Sequence, residues 1–173
     1  MDSSTRNYIN SLAERVINVY NIAIPITNID DVVRTIGGTI VELNNFDDLC
    51  DGTIIKDGEN SFRIAISPYQ SEQRRAFTIA HELGHLFLHM GYRTNPSLWK
   101  AQDQRVFRRF GSSSQEYQAN EFAAALLMPR DTYRRVLMEN ASNGRVDVSM
   151  VAKYFNVSPA AAINRGKFFG YLA

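Results

Sequence analysis

The chain has 173 residues, of which 45% are hydrophobic and 21% are charged, and it contains one cysteine, Cys50. This is the composition of an ordinary globular protein, which excludes long disordered or low-complexity segments. A single cysteine excludes an internal disulfide bond and favours a reducing compartment. The apolar runs are too short to span a bilayer, and the first residues lack the pattern of a signal peptide. We therefore expect a cytoplasmic protein with no membrane partner.

The formal net charge of +1 hides an asymmetry between the two parts of the chain. Residues 1–60 carry ten acidic and four basic side chains, whereas residues 61–173 carry eight acidic and fifteen basic side chains. A basic half suits an acidic or nucleic-acid partner, but a solvated surface balanced by the acidic half explains the same counts.

The first part of the chain predicts two helices followed by a small sheet. Apolar residues spaced by three and four predict a helix over residues 4–20, and a short second helix ends at Gly37–Gly38. The β-branched residues 39–43 predict a strand, and residues 52–67 predict a hairpin that turns near Asp57–Gly58. These elements predict a small mixed or antiparallel sheet of about three strands.

The second part of the chain is predicted to be mostly helical. The pattern predicts a long helix between Ser71 and Gly91, a polar connection over 92–113, a helix over 114–128 and helical structure throughout 131–171. The predicted fold class is therefore α+β and mostly helical, with residues 1–130 as the main domain and residues 131–173 as a helical extension packed on it.

The long predicted helix contains the motif His81-Glu82-Leu83-Gly84-His85, which has the form HExxH. Residues four apart lie on one face of a helix, so the two imidazoles can bind one zinc ion. Glu82 lies beside the first histidine and can act as a general base on a zinc-bound water molecule. The motif predicts a metallopeptidase, with two buried structural histidines as the alternative.

A zinc site requires a third protein ligand, and the spacing alone leaves its identity open. His89 is turned too far around the helix from His81, so we expect it to pack or to support a ligand rather than to bind the metal. Glu116 can complete the site, and Asn120 one turn later can hydrogen-bond a ligand histidine. The competing interpretation is that Ser113 and Glu116 form a capping box at the start of a helix.

Two segments together resemble the ImmA/IrrE family of metallo-endopeptidases, namely FTIAHELGHLFLH (77–89) and EYQANEFAAALLMP (116–129). The resemblance implies a zincin-like domain with a gluzincin-type site, in which His81, His85 and Glu116 bind Zn²⁺ and Glu82 is the catalytic base. Relatives often carry glutamate where this chain has Gln118, which favours Glu116 as the ligand.

The resemblance also implies a role in gene regulation. Family members occur in prophages, mobile elements and stress operons, and several cleave or inactivate a helix-turn-helix repressor encoded nearby. We therefore expect a zinc-dependent endopeptidase whose partner is such a repressor. The alternative is a non-proteolytic regulator or toxin–antitoxin-type partner that binds a helix-turn-helix protein or DNA, with a structural zinc site.

Residues 146–172 have the pattern of a helix-turn-helix, with a turn at Asn156–Ser158 and a second helix that begins at Pro159. A DNA-reading helix should present polar side chains at its start, but this one presents alanines at 160–162. Asn164, Arg165 and Lys167 are the remaining candidates for phosphate contact. We therefore expect a structural or protein-docking unit rather than sequence-specific DNA binding.

Two further features concern the surroundings of the predicted site. Tyr92 and Tyr117 are candidates to stabilise an oxyanion, on the basis of proximity alone, with solvated or packed tyrosines as the alternative. The connection 92–113 has a net charge of +4 and joins the two predicted metal-binding helices. It could be a lid or docking loop for substrate, or an ordinary solvated connection.

Overall fold

The structure, a computed structural model, describes residues 1–44, 52–102 and 113–173, without the side chain of Ser113. Cys50 and the part of the basic connection over 103–112 lie outside the described residues. The described elements in chain order are α1 (Ser3–Val19), α2 (Ile29–Ile36), β1 (Gly38–Glu42), β2 (Gly52–Lys56), β3 (Phe62–Ile66), α3 (Glu72–Leu88), α4 (Pro96–Lys100), α5 (Ser113–Leu127), α6 (Arg130–Glu139), β4 (Ala141–Ser142), β5 (Arg145–Val146), α7 (Val148–Phe155) and α8 (Pro159–Phe168).

The α+β prediction is confirmed, and strands β1 to β3 form a small mixed sheet. Its strand order is β1-β3-β2, with β1 parallel to β3 and β2 antiparallel to β3. The hairpin turns at Asp57 and Gly58, whose amide groups both donate to the carbonyl of Ser61. Ile54 and Ile64 pair across the two strands and are fully buried in the core.

The helices α3 and α5 cross closely, and this crossing positions the candidate site. Gly84 lies at the crossing: a Cβ atom added there would be 2.9 Å from the Cα of Ala119 and 3.0 Å from its carbonyl oxygen. Ala119 itself has no exposed surface. Because a glycine and an alanine face each other, the two helix backbones approach more closely than larger side chains would allow.

The prediction of continuous helix over 131–171 is wrong between α6 and α7. Residues 141–146 form the short antiparallel hairpin β4–β5, with Asn143 and Gly144 at its turn. Both turn residues have positive φ, 51° and 72°, which is the conformation that an Asn-Gly pair adopts in a tight hairpin. The Asn143–Gly144 dipeptide is therefore the local signal of this hairpin, within a segment whose apolar pattern predicts a helix.

The C-terminal helix α8 is attached to the rest of the molecule through Arg165, which is only 3% exposed. Its guanidinium group donates to the carbonyl of Met128 at 3.1 Å, to Glu121 Oε1 at 3.0 Å and to Asn10 Oδ1 at 2.7 Å. A single side chain of α8 therefore binds groups on α1, on α5 and just after α5. Within the described residues, none of the helices is long and apolar enough to cross a membrane.

Candidate metal centre

Helix α3 carries the HExxH motif, as the sequence predicts. It begins after Ser71, whose hydroxyl oxygen accepts a hydrogen bond from the amide of Arg74. The helical spacing brings His81 and His85 together, with their Nε2 atoms 3.0 Å apart. His85 is buried, whereas the side chain of His81 is 15% exposed. One imidazole edge of the pair therefore remains open to solvent.

Helix α5 brings the carboxylate of Glu116 to the two histidines. Its Oε2 lies 3.2 Å from His81 Nε2, and its Oε1 lies 3.3 Å from His85 Nε2. One donor atom from each of the three residues lies within 4.8 Å of the other two. The Glu116 side chain therefore faces the histidines, which is the orientation that a metal ligand requires.

The chemistry of these three groups fits a bound cation. His81 Nδ1 lies 2.9 Å from Asn120 Oδ1, and an amide oxygen can only accept a hydrogen bond. His81 Nδ1 therefore carries the proton and Nε2 presents a lone pair. That lone pair and two carboxylate oxygens converge on the same point, an arrangement that a divalent cation with nitrogen and oxygen ligands, such as zinc, would stabilise.

His89 lies beside the cluster, where its ring contacts a ligand histidine. Its Nδ1 lies 2.8 Å from His85 Nδ1, and its Nε2 lies 3.0 Å from Gln118 Oε1. Burial lowers the pKa of His89, and burial next to the other two histidines lowers the pKa of His85 to about 2. Both imidazoles are therefore neutral at physiological pH, which is the form that binds metals.

Glu82 is the second residue of the motif and is almost fully buried, with 6% of its surface exposed. It packs under the start of β2: a Cβ atom added to Gly52 would lie 3.4 Å from Glu82 Oε1. Burial, and secondly the negative charge of Glu116, raise the pKa of Glu82 to about 8. The raised pKa makes the Glu82 carboxylate a stronger proton acceptor than an exposed glutamate.

The two tyrosines predicted as oxyanion donors lie in different surroundings. Tyr92 is buried in the core, and its hydroxyl group lies 2.9 Å from the Ile36 carbonyl and 3.0 Å from the Asn60 carbonyl. Its hydroxyl group is hydrogen-bonded there, so Tyr92 is a packed tyrosine, as in the alternative interpretation, and not an oxyanion donor. Tyr117 follows Glu116 directly and is 65% exposed, so it remains a candidate.

A cleft of about 510 Å³ opens beside the cluster. Asn120, which hydrogen-bonds His81, and Tyr117 line it, as does Phe77, one helical turn before His81. The remaining wall is formed by side chains of α5, α8 and the N-terminal segment, including Ala124, Met128, Ala161 and Phe168. The cleft therefore provides a largely apolar surface next to the candidate metal ligands.

The fold and the cluster together define a zincin-like domain with a candidate metal site formed by two histidines and a glutamate. The chain belongs to the peptidase M78 family: the model described as the IrrE N-terminal-like domain matches residues 47–167. This match confirms the family that the sequence resembles, and it includes every residue of the cluster. The family is one of metallopeptidases, so the chain is related to metal-dependent enzymes.

Comparison with solved structures gives the same fold. The chain is similar to a Mycobacterium tuberculosis transcriptional regulator, with a TM-score of 0.61 and 20% sequence identity. The similarity covers 92% of this chain but 46% of that protein, so this chain spans about half the length of its structural relative. Comparison with curated protein sequences gives no significant match.

Proposed function

We propose that the protein is a zinc-dependent endopeptidase in which His81, His85 and Glu116 hold the metal and Glu82 is the general base. The observation that carries the proposal is the convergence of these three ligand groups beside a buried glutamate of the same helix. Zinc would polarise the scissile carbonyl group and lower the pKa of a bound water molecule.

The protein's own part in the reaction is the transfer of a proton. The carboxylate of Glu82 would accept a proton from the attacking water molecule and later deliver it to the leaving amine. Its burial suits this role, because exclusion of solvent leaves few competing proton acceptors. The positive charge of a metal held by Glu116 would offset the part of the pKa shift that the Glu116 carboxylate causes.

The cleft beside the cluster supports a polypeptide substrate. Its volume of about 510 Å³ can hold one or two side chains next to the reacting bond. The charged groups that line it already pair with one another, since Arg165 and Arg6 both lie near the Glu121 carboxylate, at 3.0 Å and 3.6 Å. The open part of the surface therefore favours apolar side chains.

The proposed substrate is a helix-turn-helix repressor encoded near this gene in a prophage, mobile element or stress operon, and the proposed compartment is the cytoplasm. The resemblance to the ImmA/IrrE family supports this part of the proposal. The structural relative is itself described as a transcriptional regulator, which agrees with a regulatory role.

The alternative is a non-proteolytic regulator or toxin–antitoxin-type partner with a structural zinc site. The presence of Glu82 argues against this alternative, because a purely structural zinc site needs no carboxylate of this kind. Direct DNA binding by α8 is also disfavoured. Arg165, predicted as a phosphate contact, points inward to Met128 and Glu121, while Ala162 is fully buried. Asn164 and Lys167 remain exposed on α8.

The test is co-expression of this protein with the neighbouring helix-turn-helix protein, followed by mass spectrometry of the fragments. The wild type and Glu139→Gln, a matched control with an exposed glutamate on α6, should both cleave the partner. Glu82→Gln should bind zinc but produce no fragment, because only the proton acceptor is lost. A stable complex without fragments from any of the three would favour the non-proteolytic alternative. Equal cleavage by Glu82→Gln would refute the role of Glu82.

A further inference from the structure

Two side-chain amides of helix α5 are linked to the histidine pair, one directly and the other through His89. Asn120 reaches His81 directly, and Gln118 reaches His85 through His89. Both amides lie within one turn of Glu116 on the same helix. Helix α5 therefore supplies one candidate metal ligand, Glu116. It also supplies the amides at the ends of the hydrogen-bond chains that lead to His81 and His85.

The orientation of the Gln118 amide determines the direction of the hydrogen bonds toward His85. Gln118 Oε1 lies 3.0 Å from His89 Nε2, while Gln118 Nε2 faces Ser114 Oγ at 3.5 Å. Because the amide oxygen can only accept, His89 Nε2 must carry a proton. The other nitrogen of the neutral His89 ring, Nδ1, then presents a lone pair.

The same reasoning extends to the ligand histidine. The 2.8 Å contact between His89 Nδ1 and His85 Nδ1 can be a hydrogen bond only if one of the two nitrogens carries a proton. Since His89 Nδ1 has the lone pair, the proton lies on His85 Nδ1. His85 Nε2 is then unprotonated, and this is the atom that faces His81 Nε2 and Glu116 Oε1.

The reverse arrangement would block the site. If His89 Nδ1 carried the proton and donated it to His85 Nδ1, the neutral His85 ring would carry its own proton on Nε2, where the metal must bind. With Gln118 Oε1 in its observed place, that arrangement would also set a lone pair of His89 Nε2 against an amide oxygen. The Gln118 oxygen therefore favours one of two otherwise similar proton arrangements.

We propose that the Gln118–His89–His85 hydrogen-bond chain is a positioning device that holds His85 in its metal-binding tautomer, with Gln118 as the residue that sets the direction. The inference rests on the metal-binding part of the proposed function and is independent of peptidase activity. His89 is thus a positioning residue that acts through His85, and Gln118 acts through His89.

The test compares Gln118→Met with the wild type and with Gln73→Met. Methionine keeps the length of the glutamine side chain but removes the amide oxygen. Gln73 lies exposed in the first turn of α3, away from the cluster, so its substitution controls for the exchange itself. Zinc affinity is measured by competition with a chelator, and the tautomers of His85 and His89 are read from ¹⁵N NMR of the metal-free and zinc-loaded proteins. Circular dichroism verifies that each variant is folded.

The wild type and Gln73→Met should show His85 protonated at Nδ1 before zinc is added. Gln118→Met should show a population of His85 protonated at Nε2 and about 10-fold weaker zinc binding, the lower end of the loss typical when a partner of a metal-binding histidine is removed. Weaker binding with unchanged tautomers would overturn the proposal, because Gln118 would then act by packing alone. Unchanged affinity and tautomers would also overturn it. Zinc binding as expected in a protein that cleaves nothing would instead count against the proposed peptidase function.

Discussion

The close crossing of α3 and α5 yields a specific prediction for Gly84, which lies within the HExxH motif. The substitution Gly84→Ala would place a Cβ atom 2.9 Å from the Cα of Ala119, 3.0 Å from its carbonyl oxygen and 3.2 Å from the Cβ of Phe122. Ordinary contacts of a Cβ atom begin at 3.4 Å. The two helices must therefore separate by about half an ångström, because two of these neighbours are backbone atoms that cannot rotate away.

The expected loss of stability is small, because two effects oppose each other. Overpacking of a close contact costs about 1–3 kcal/mol, whereas replacing glycine by alanine inside a helix returns about 1 kcal/mol. The free energy of unfolding of Gly84→Ala should thus fall by no more than about 2 kcal/mol. The expected effect on the metal site is larger. Glu116 lies one turn from Ala119, and metal–ligand distances tolerate shifts of only about 0.2 Å. We expect zinc affinity to fall by about 10- to 100-fold.

The assay pairs chelator competition with urea unfolding of the metal-free protein. Gly166→Ala is the matched control, because it is the same exchange in a helix and its added Cβ atom would lie 2.5 Å from the side chain of Leu172, away from the cluster. This control should change stability while leaving zinc affinity at the wild-type value. If Gly84→Ala bound zinc as tightly as the wild type, the claim that this crossing positions Glu116 would be refuted.

Three further predictions follow from the site and from the buried arginine. Glu116→Ala should weaken zinc binding by about 100-fold or more, measured by chelator competition, since a ligand is lost. A smaller loss of affinity than for Gln118→Met would show that Glu116 is not the third ligand. Burial raises the pKa of Glu82 to about 8 from an ordinary value of 4.5, so the folded metal-free protein keeps a proton that the unfolded chain loses. The free energy of unfolding should therefore fall as pH rises from 5 to 8, by at most about 1.4 kcal/mol per pH unit. Urea unfolding of Glu82→Gln should not show this fall. Identical pH profiles for the wild type and Glu82→Gln would contradict the raised pKa of Glu82. Arg165→Met should lower the free energy of unfolding by at most about 3–5 kcal/mol, because Glu121 loses its buried partner and keeps only Asn10 and the more exposed Arg6. Urea unfolding should show a smaller loss for the double variant with Glu121→Gln.

The arrangement of the C-terminal segment bears on how the protein can recognise a partner. Helix α8 begins after Ser158, whose hydroxyl oxygen accepts a hydrogen bond from the amide of Ala161, and Ala161 lines the cleft beside the metal centre. The hydroxyl group of Tyr133 donates to the carbonyl of Ala162 at 2.6 Å. Ala161 and Ala162 therefore face the rest of the chain, whereas Ser158, Pro159 and Ala160 at the start of α8 are exposed.

The sequence alone determined the central features of the candidate site, because they depend on local spacing. The four-residue interval between His81 and His85 requires only a helix to place both imidazoles on one face. The three strands and the main helices were also predicted from periodicity, within one to three residues of their observed bounds. The Asn143–Gly144 hairpin was predictable in principle, because an Asn-Gly dipeptide is a local turn signal. The apolar pattern on both sides of this dipeptide is typical of helix, and the prediction followed that pattern.

The tertiary structure decided every feature that depends on separate segments meeting. Spacing left Glu116 open between a helix cap and a metal ligand, and the crossing at Gly84 and Ala119 brings its carboxylate to the histidines. The side chain of Ser113, on which the capping-box interpretation depends, lies outside the described residues. Packing also determined the hydrogen-bond partners of Tyr92 and Arg165. These partners are distant in sequence, so no local pattern around either residue could indicate them. The link from Gln118 through His89 to His85 joins α5 to the C-terminal end of α3 across up to 33 positions in sequence, and its hydrogen-bond directions exist only once those helices have packed.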